Sequence, residues 1–158
     1  IFDEDVITQS GEIWLNEEEA GPAHARHISL VELADNLYNR LTVRENLVAA
    51  ARLRARFAVG PATPSHRREA MVQEKVEQLL DELLLRECAD TVVGDVVGQK
   101  TGISAGQRRR LSVAMDIISN PRLLVLDDAT AGLDPHSAMV IIKALRHVSR
   151  RGGTVVLT

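Results

Sequence analysis

Residues Arg122–Thr158 read RLLVLDDATAGLDPHSAMVIIKALRHVSRRGGTVVLT, and the order of apolar and punctuating residues in this stretch decides the fold. Two short, continuously apolar runs, RLLVLD (Arg122–Asp127) and TVVLT (Thr154–Thr158), stand at its ends. Apolar runs without alternation are those of strands covered on both faces. Between them Asp134 stands as an N-cap, Pro135 occupies the first helical position, and Gly152-Gly153 follows the helix end. Strand, helix, strand is a βαβ unit. The prediction is an α/β fold whose parallel sheet is covered on both faces.

The first strand ends in two carboxylates, Asp127 and Asp128. Acidic residues at the C-terminal end of a buried parallel strand lie where α/β sheets bind ligands. In nucleotide hydrolases the first such carboxylate holds Mg²⁺ through water, and a following acid orients or deprotonates the attacking water.

Upstream, Val97–Ser112 (VGQKTGISAGQRRRLS) holds two segments that resemble phosphate grips. GQKT fails as a P-loop, because G-x-x-x-x-G-K-[ST] needs glycine before the lysine and Gln99 stands there. It is read as a loop, and no other stretch fits the pattern. SAGQ does better. Ser104 and Gln107 have the S-x-x-Q spacing of a capping box, which predicts a helix from about Gly106 to Ser119, ended by Asn120-Pro121. Leu111, Ala114, Met115 and Ile118 would face inward. Ala105 and Gly106 are small enough for a ligand to approach the backbone, at the positive end of the helix dipole.

Further upstream, GEIWLN (Gly11–Asn16) alternates as a half-exposed strand, EEEAGP is a connector, and HISLVE (His27–Glu32) reads as a strand. The segment from Thr42 carries a capping box with Glu45 and a helical repeat of Val43, Leu47, Ala50 and Leu53. VGPATP breaks that helix. A second amphipathic helix is predicted over about Ser65–Arg86, with a core stripe of Val72, Val76, Leu79, Leu80, Leu83 and Leu84.

Composition excludes several classes. A net charge of −3 and 3% aromatic residues argue against a nucleic-acid surface, which needs clustered basic groups or stacking platforms. Cys88 is the single cysteine, so no internal disulfide forms. No apolar run approaches the roughly 18 residues of a membrane span. His24, His27 and His66 lack metal-ligand spacing. The chain opens on Ile1 and is read as an excerpt of a longer protein.

ISAGQRRRLSVAMDIISNPRLLVLDDATAGLD (Ile103–Asp134) resembles the signature motif, Walker B strand and D-loop of ATP-binding cassette ATPases in order and spacing. RLTVRENLVAAARLR and VEQLLDELLLRECADTVVG look like the helical subdomain of the subfamily G transporters, the white and pleiotropic-drug-resistance type. The resemblance runs from GEIWLN to TVVLT. It implies an incomplete P-loop-NTPase-like fold: a β-subdomain remnant and Q-loop region over 1–35, a helical subdomain over 36–103, and the signature helix, Walker B, D-loop and following βαβ over 104–158.

The resemblance also implies roles. Two cassettes would sandwich ATP, so Ser104, Ala105, Gly106 and Gln107 would touch the γ-phosphate of ATP held by a second nucleotide-binding domain. Asp127 would approach Mg²⁺ through water, Asp128 would take the catalytic-glutamate position, and Asp134 would be the D-loop aspartate. Leu33 falls at the Q-loop position. Arg108, Arg109 and Arg110 are expected on a solvated face of the signature helix near the dimer interface, and Trp14 as a packing anchor of the small antiparallel sheet.

Two departures stand out. Asp128 replaces glutamate, and Leu33 cannot bind Mg²⁺-bound water as glutamine does. Ala105 replaces a glycine, a milder change. The P-loop is expected before GEIWLN and the switch histidine just after Thr158. The implied activity is ATP hydrolysis driving transmembrane domains at the cytoplasmic face of a membrane, with no nucleic-acid partner. The isolated 158 residues are expected to be inactive. The alternatives are a poorly hydrolysing regulatory cassette and a soluble, non-transporter cassette protein.

Overall fold

The computed structural model describes residues 11, 14–15, 17–19, 21, 27–31, 36–58, 63–94 and 102–158. Leu33 and the GQKT segment lie outside them. Strands β1 (Trp14–Leu15) and β2 (Glu18–Glu19) form an antiparallel hairpin, so part of the acidic connector is strand. Trp14 is 58% exposed and is no packing anchor. Its register partner is Glu19.

The main sheet is parallel, in the order β3–β4–β5, built from Ile28–Val31, Leu123–Leu126 and Thr154–Leu157. β4, the apolar LLVL run, takes the centre. The register aligns Ser29, Leu124 and Val155 on one face with Val31, Leu126 and Leu157, and this face is buried on β3 and β4, while Leu157 on β5 is 45% exposed. The opposite face carries Leu30 at 54% and Val156 at 44% exposure. Among the described residues the sheet is thus covered on one face, not on both.

Helices α1 (Val43–Ala58), α2 (Ser65–Glu82), α3 (Ala105–Ile117) and α4 (Pro135–Arg150) supply the cover. α3 lies against β3, α4 and α1, and α1 packs in turn on α2. The start of α1 is a capping box: Thr42 Oγ1 accepts from the Glu45 amide at 3.1 Å, and Glu45 accepts from the Thr42 amide at 2.8 Å. Asn46, fully buried, accepts from the Tyr38 amide and donates to the Tyr38 and Thr42 carbonyls, which fixes the approach to α1. Leu53, the last member of the helical repeat, is 66% exposed.

α2 ends four residues before the predicted Arg86. Leu84 takes a left-handed φ of 50°, its amide bonds the Asp81 carbonyl, and the Leu85 amide bonds the Leu80 carbonyl. This is a Schellman motif, with Leu80 and Leu85 as its buried apolar pair. The chain reverses there, so Leu85 enters the core and Leu84 is turned out, against the stripe. A 3₁₀ turn, Arg86–Cys88, follows. α4 ends the same way, with Gly152 at φ 90° and the Gly153 amide on the Val148 carbonyl, as the glycine pair predicts.

Leu84→Gly should leave stability unchanged or raise it by up to about 1 kcal/mol, because a left-handed leucine is strained and a glycine is not. Leu80→Ala should lower it by about 2–5 kcal/mol, since that side chain is fully buried. Urea unfolding of the two variants checks the motif, and equal losses would contradict it.

Candidate functional site

The site is built around the C-terminal end of β4. The Asp127 amide still bonds the Val31 carbonyl, at 3.2 Å, while its side chain is exposed. Asp128 leaves the strand at φ 46°, a left-handed conformation that Asp tolerates better than most residues. Thr158, at the matching end of β5, serves both residues: its hydroxyl donates to Asp127 Oδ1 at 2.9 Å and accepts from the Asp128 amide at 3.3 Å. The sequence reading missed Thr158. The signal available was a hydroxyl closing the strand that runs parallel to LLVLDD.

α3 begins with the predicted capping box. Ser104 Oγ accepts from the Gln107 amide at 3.2 Å, and Gln107 Oε1 accepts from the Ser104 amide at 2.8 Å. The amides of Ala105 and Gly106 are ones that a helix start leaves without an intrahelical carbonyl. Gly106 has a further reason to be glycine. A Cβ there would stand 2.9 Å from Ser137 Oγ and 3.8 Å from Asp134 Oδ2, so the starts of α3 and α4 touch at this point.

The three consecutive arginines overturn the expectation of a solvated face. Arg108, Arg109 and Arg110 are 8%, 6% and 8% exposed. Successive helical residues point about 100° apart, so each guanidinium reaches a different element. Arg108 donates to the Gly94 carbonyl at 2.7 Å and to Asn39 Oδ1 at 3.1 Å. Arg109 donates from Nε to the Ala129 carbonyl at 3.3 Å and from Nη2 to the carbonyls of Asp127 at 3.1 Å and Asp128 at 3.5 Å. Arg110 donates to Ser137 Oγ at 3.1 Å. None of these acceptors is near in sequence, which is why the run reads as surface charge.

Asp134 caps α4 through the Ser137 amide at 2.9 Å, and the hydrogen bonds from Ser137 hold its carboxyl below the usual range. Ser137 therefore ties Asp134, Gly106 and Arg110 together. The structure thus joins Ser104, Ala105, Gly106, Gln107 and Asp134 in one cluster of helix starts, and Arg109 links that cluster to Asp127 and Asp128.

The family model described as ABC transporter matches residues 2–131. The chain belongs to the ABC transporter family. It is 37% identical over 155 residues to "ABC transporter G family member 5" of Arabidopsis thaliana, covering 97% of this chain and 22% of that protein. It is 39% identical over 149 residues to "ABC transporter G family member 6" of the same plant, covering 94% of this chain and 19% of the relative. The human "ATP-binding cassette sub-family G member 8" is 35% identical over 151 residues, 95% of this chain and 21% of its own length. The chain therefore spans about a fifth of these G-family relatives.

The ABC family implies Mg²⁺, and the donor chemistry at the end of β4 suits it. Mg²⁺ commonly takes one or two carboxylates and completes its shell with water and substrate phosphate. Asp127 is an exposed carboxylate with one oxygen held by Thr158, and Asp128 lies beside it. Among the described residues no three of His, Cys, Asp and Glu gather into a protein-only metal cluster, and no helix is long and apolar enough to cross a membrane.

Two outcomes follow from the contact between the helix starts. Gly106→Ala should destabilise the protein by about 1–3 kcal/mol despite alanine's better helix propensity, because the new methyl meets Ser137 Oγ. In a Ser137→Ala background that cost should shrink, a coupling that a double-mutant cycle in urea measures. The second concerns acid. The folded pKa of Asp134 lies below its unfolded value of about 3.9. Its contribution is present above that value and is lost as pH falls through the folded pKa. Asp134→Ala should therefore lower the melting temperature at neutral pH and flatten the loss of stability below about pH 4.

Proposed function

We propose that this chain is part of an ATP-hydrolysing cassette that works as a pair with a second nucleotide-binding domain and drives transmembrane domains from the cytoplasmic face of a membrane. What carries the reading is one pairing in a member of the ABC transporter family. A capped, small-residue helix start and two exposed carboxylates at the end of the central parallel strand are bound to one another through α3.

On this reading the amides of Ala105 and Gly106, at the positive end of α3, receive the γ-phosphate of ATP bound on the partner domain. Ser104 accepts the Gln107 amide and keeps its hydroxyl proton for a phosphate oxygen, while the Gln107 side-chain amide keeps its NH₂ donors. Asp127 holds the water shell of Mg²⁺, which when bound neutralises phosphate charge. Asp128 orients the attacking water and takes its proton. Asp134 anchors the start of α4 against Gly106, so the two domains meet across a stiff element. Leu33, at the Q-loop position, contributes no ligand for Mg²⁺-bound water.

Asp128 is one methylene shorter than the glutamate usual at its position, about 1.5 Å of lost reach. A general base must come within about 2.6–3.2 Å of the proton or act through a second water, which slows the step. A second reading, a cassette that binds ATP and pairs but turns it over slowly, is favoured by that shortening together with Leu33.

Steady-state ATP hydrolysis by the full-length protein decides between them. On the first reading Asp128→Asn lowers kcat by about a hundredfold, and Asp128→Glu changes it little. A slow wild type that gains strongly from Asp128→Glu supports the regulatory cassette. An Asp128→Asn variant as fast as the wild type sinks both assignments of that residue.

A further inference from the structure

We propose that Arg109 is a positioning residue for the carboxylate turn, an inference that rests on the ATPase reading above: its guanidinium, rooted in α3, sets where Asp127 and Asp128 point. One cation faces the carbonyls of three successive residues, Asp127, Asp128 and Ala129. In an extended strand successive carbonyls point to alternate sides, so this convergence requires the turn that Asp128 makes at φ 46°. That conformation costs free energy, and it is held from both directions. Thr158 takes the Asp128 amide, and Arg109 takes the carbonyls.

The other end of the lever is the start of α3. Arg109 stands three residues after Gly106 and four after Ala105, which puts it on the same helix face one turn below them. A shift of the helix start toward an anion moves the guanidinium with it. The fork of donors on arginine is what lets one group hold three carbonyls, and a lysine ammonium, a compact point charge, holds fewer. Arg109 therefore links the helix start offered to the partner's nucleotide with the carboxylates that act on this chain's own. At 6% exposure it acts through the turn rather than on a ligand.

The test uses full-length protein carrying Arg109→Met or Arg109→Lys, with two readouts on each. The first is kcat and KM for Mg-ATP, normalised to folded protein. Arg109→Met should lower kcat about tenfold to a hundredfold and leave KM within about threefold, because misplacement of a catalytic group by about 1 Å has that effect on the chemical step. Arg109→Lys should recover part of the loss, and it replaces the methionine variant should that fail to fold. The second readout is amide hydrogen exchange across residues 127–133, where the Ala131 amide bonds the Asp128 carbonyl. Exchange should quicken in Arg109→Met and be intermediate in Arg109→Lys. Wild-type exchange in a variant of lowered stability, or kcat within twofold of the wild type, overturns the proposal. A wild type that hydrolyses no ATP defeats the ATPase reading alone, because the exchange comparison still decides whether Arg109 holds the turn.

Discussion

Three consecutive guanidinium groups buried along α3 are the constraint on which the rest of the arrangement depends. Taking a permanent charge out of water is costly unless strong acceptors replace the solvent. Here backbone carbonyls and polar side chains from three separate elements do so: Gly94 and Asn39 for Arg108, the Asp127–Ala129 turn for Arg109, and Ser137 of α4 for Arg110. The acceptors must all be in place for the helix to seat. The helical part at residues 39–94, the strand end and α4 are therefore fixed relative to one another by one element. The fit is incomplete at one atom. Arg110 Nε is buried without a hydrogen-bond partner among the described residues.

How legible this was from sequence depended on the range of each interaction. The caps at Thr42, Ser104 and Asp134 and the glycine end of α4 are local bargains between residues three to five apart, and the structure reproduces them. The apolar runs at 123–126 and 154–157 likewise became neighbouring parallel strands. Errors came where the deciding partner was distant or the marker residue was missing. Arg108–Arg110 read as surface charge because their acceptors lie 14 to 69 residues away. The stripe on α2 ran on to Leu84 because the reversal there uses leucine where glycine usually marks it. Ser137 carried no signal of its own, and Thr158 only that of a hydroxyl closing a strand, since their roles exist only once α3 and α4, or β4 and β5, are side by side.

The same distinction separates the two meanings of Gly106. From sequence its smallness reads as access for a ligand to the helix backbone. In the fold it is first a packing requirement, since Ser137 stands where a methyl would go. The two are compatible, because the amide points along the helix axis while the Cβ position points sideways to α4. A glycine at a helix start is therefore weak evidence for a ligand by itself. Its value here comes from the carboxylate turn attached to the same helix.

Asp128 joins the backbone and chemical sides of the problem. Its left-handed φ is a conformation in which short polar residues are enriched, and aspartate is among the least strained of the side chains that carry a carboxylate there. A glutamate would gain reach toward water at the cost of a backbone that suits it less. The turn must then be held more firmly for the longer side chain to be useful. Arg109 and Thr158 are the groups that hold it, one on the carbonyl side and one on the amide side. On the proposed role of Asp128 as the base, the exchange of aspartate for glutamate changes both the length of an acid and the stability of its support, and the two would act on the rate in opposite directions.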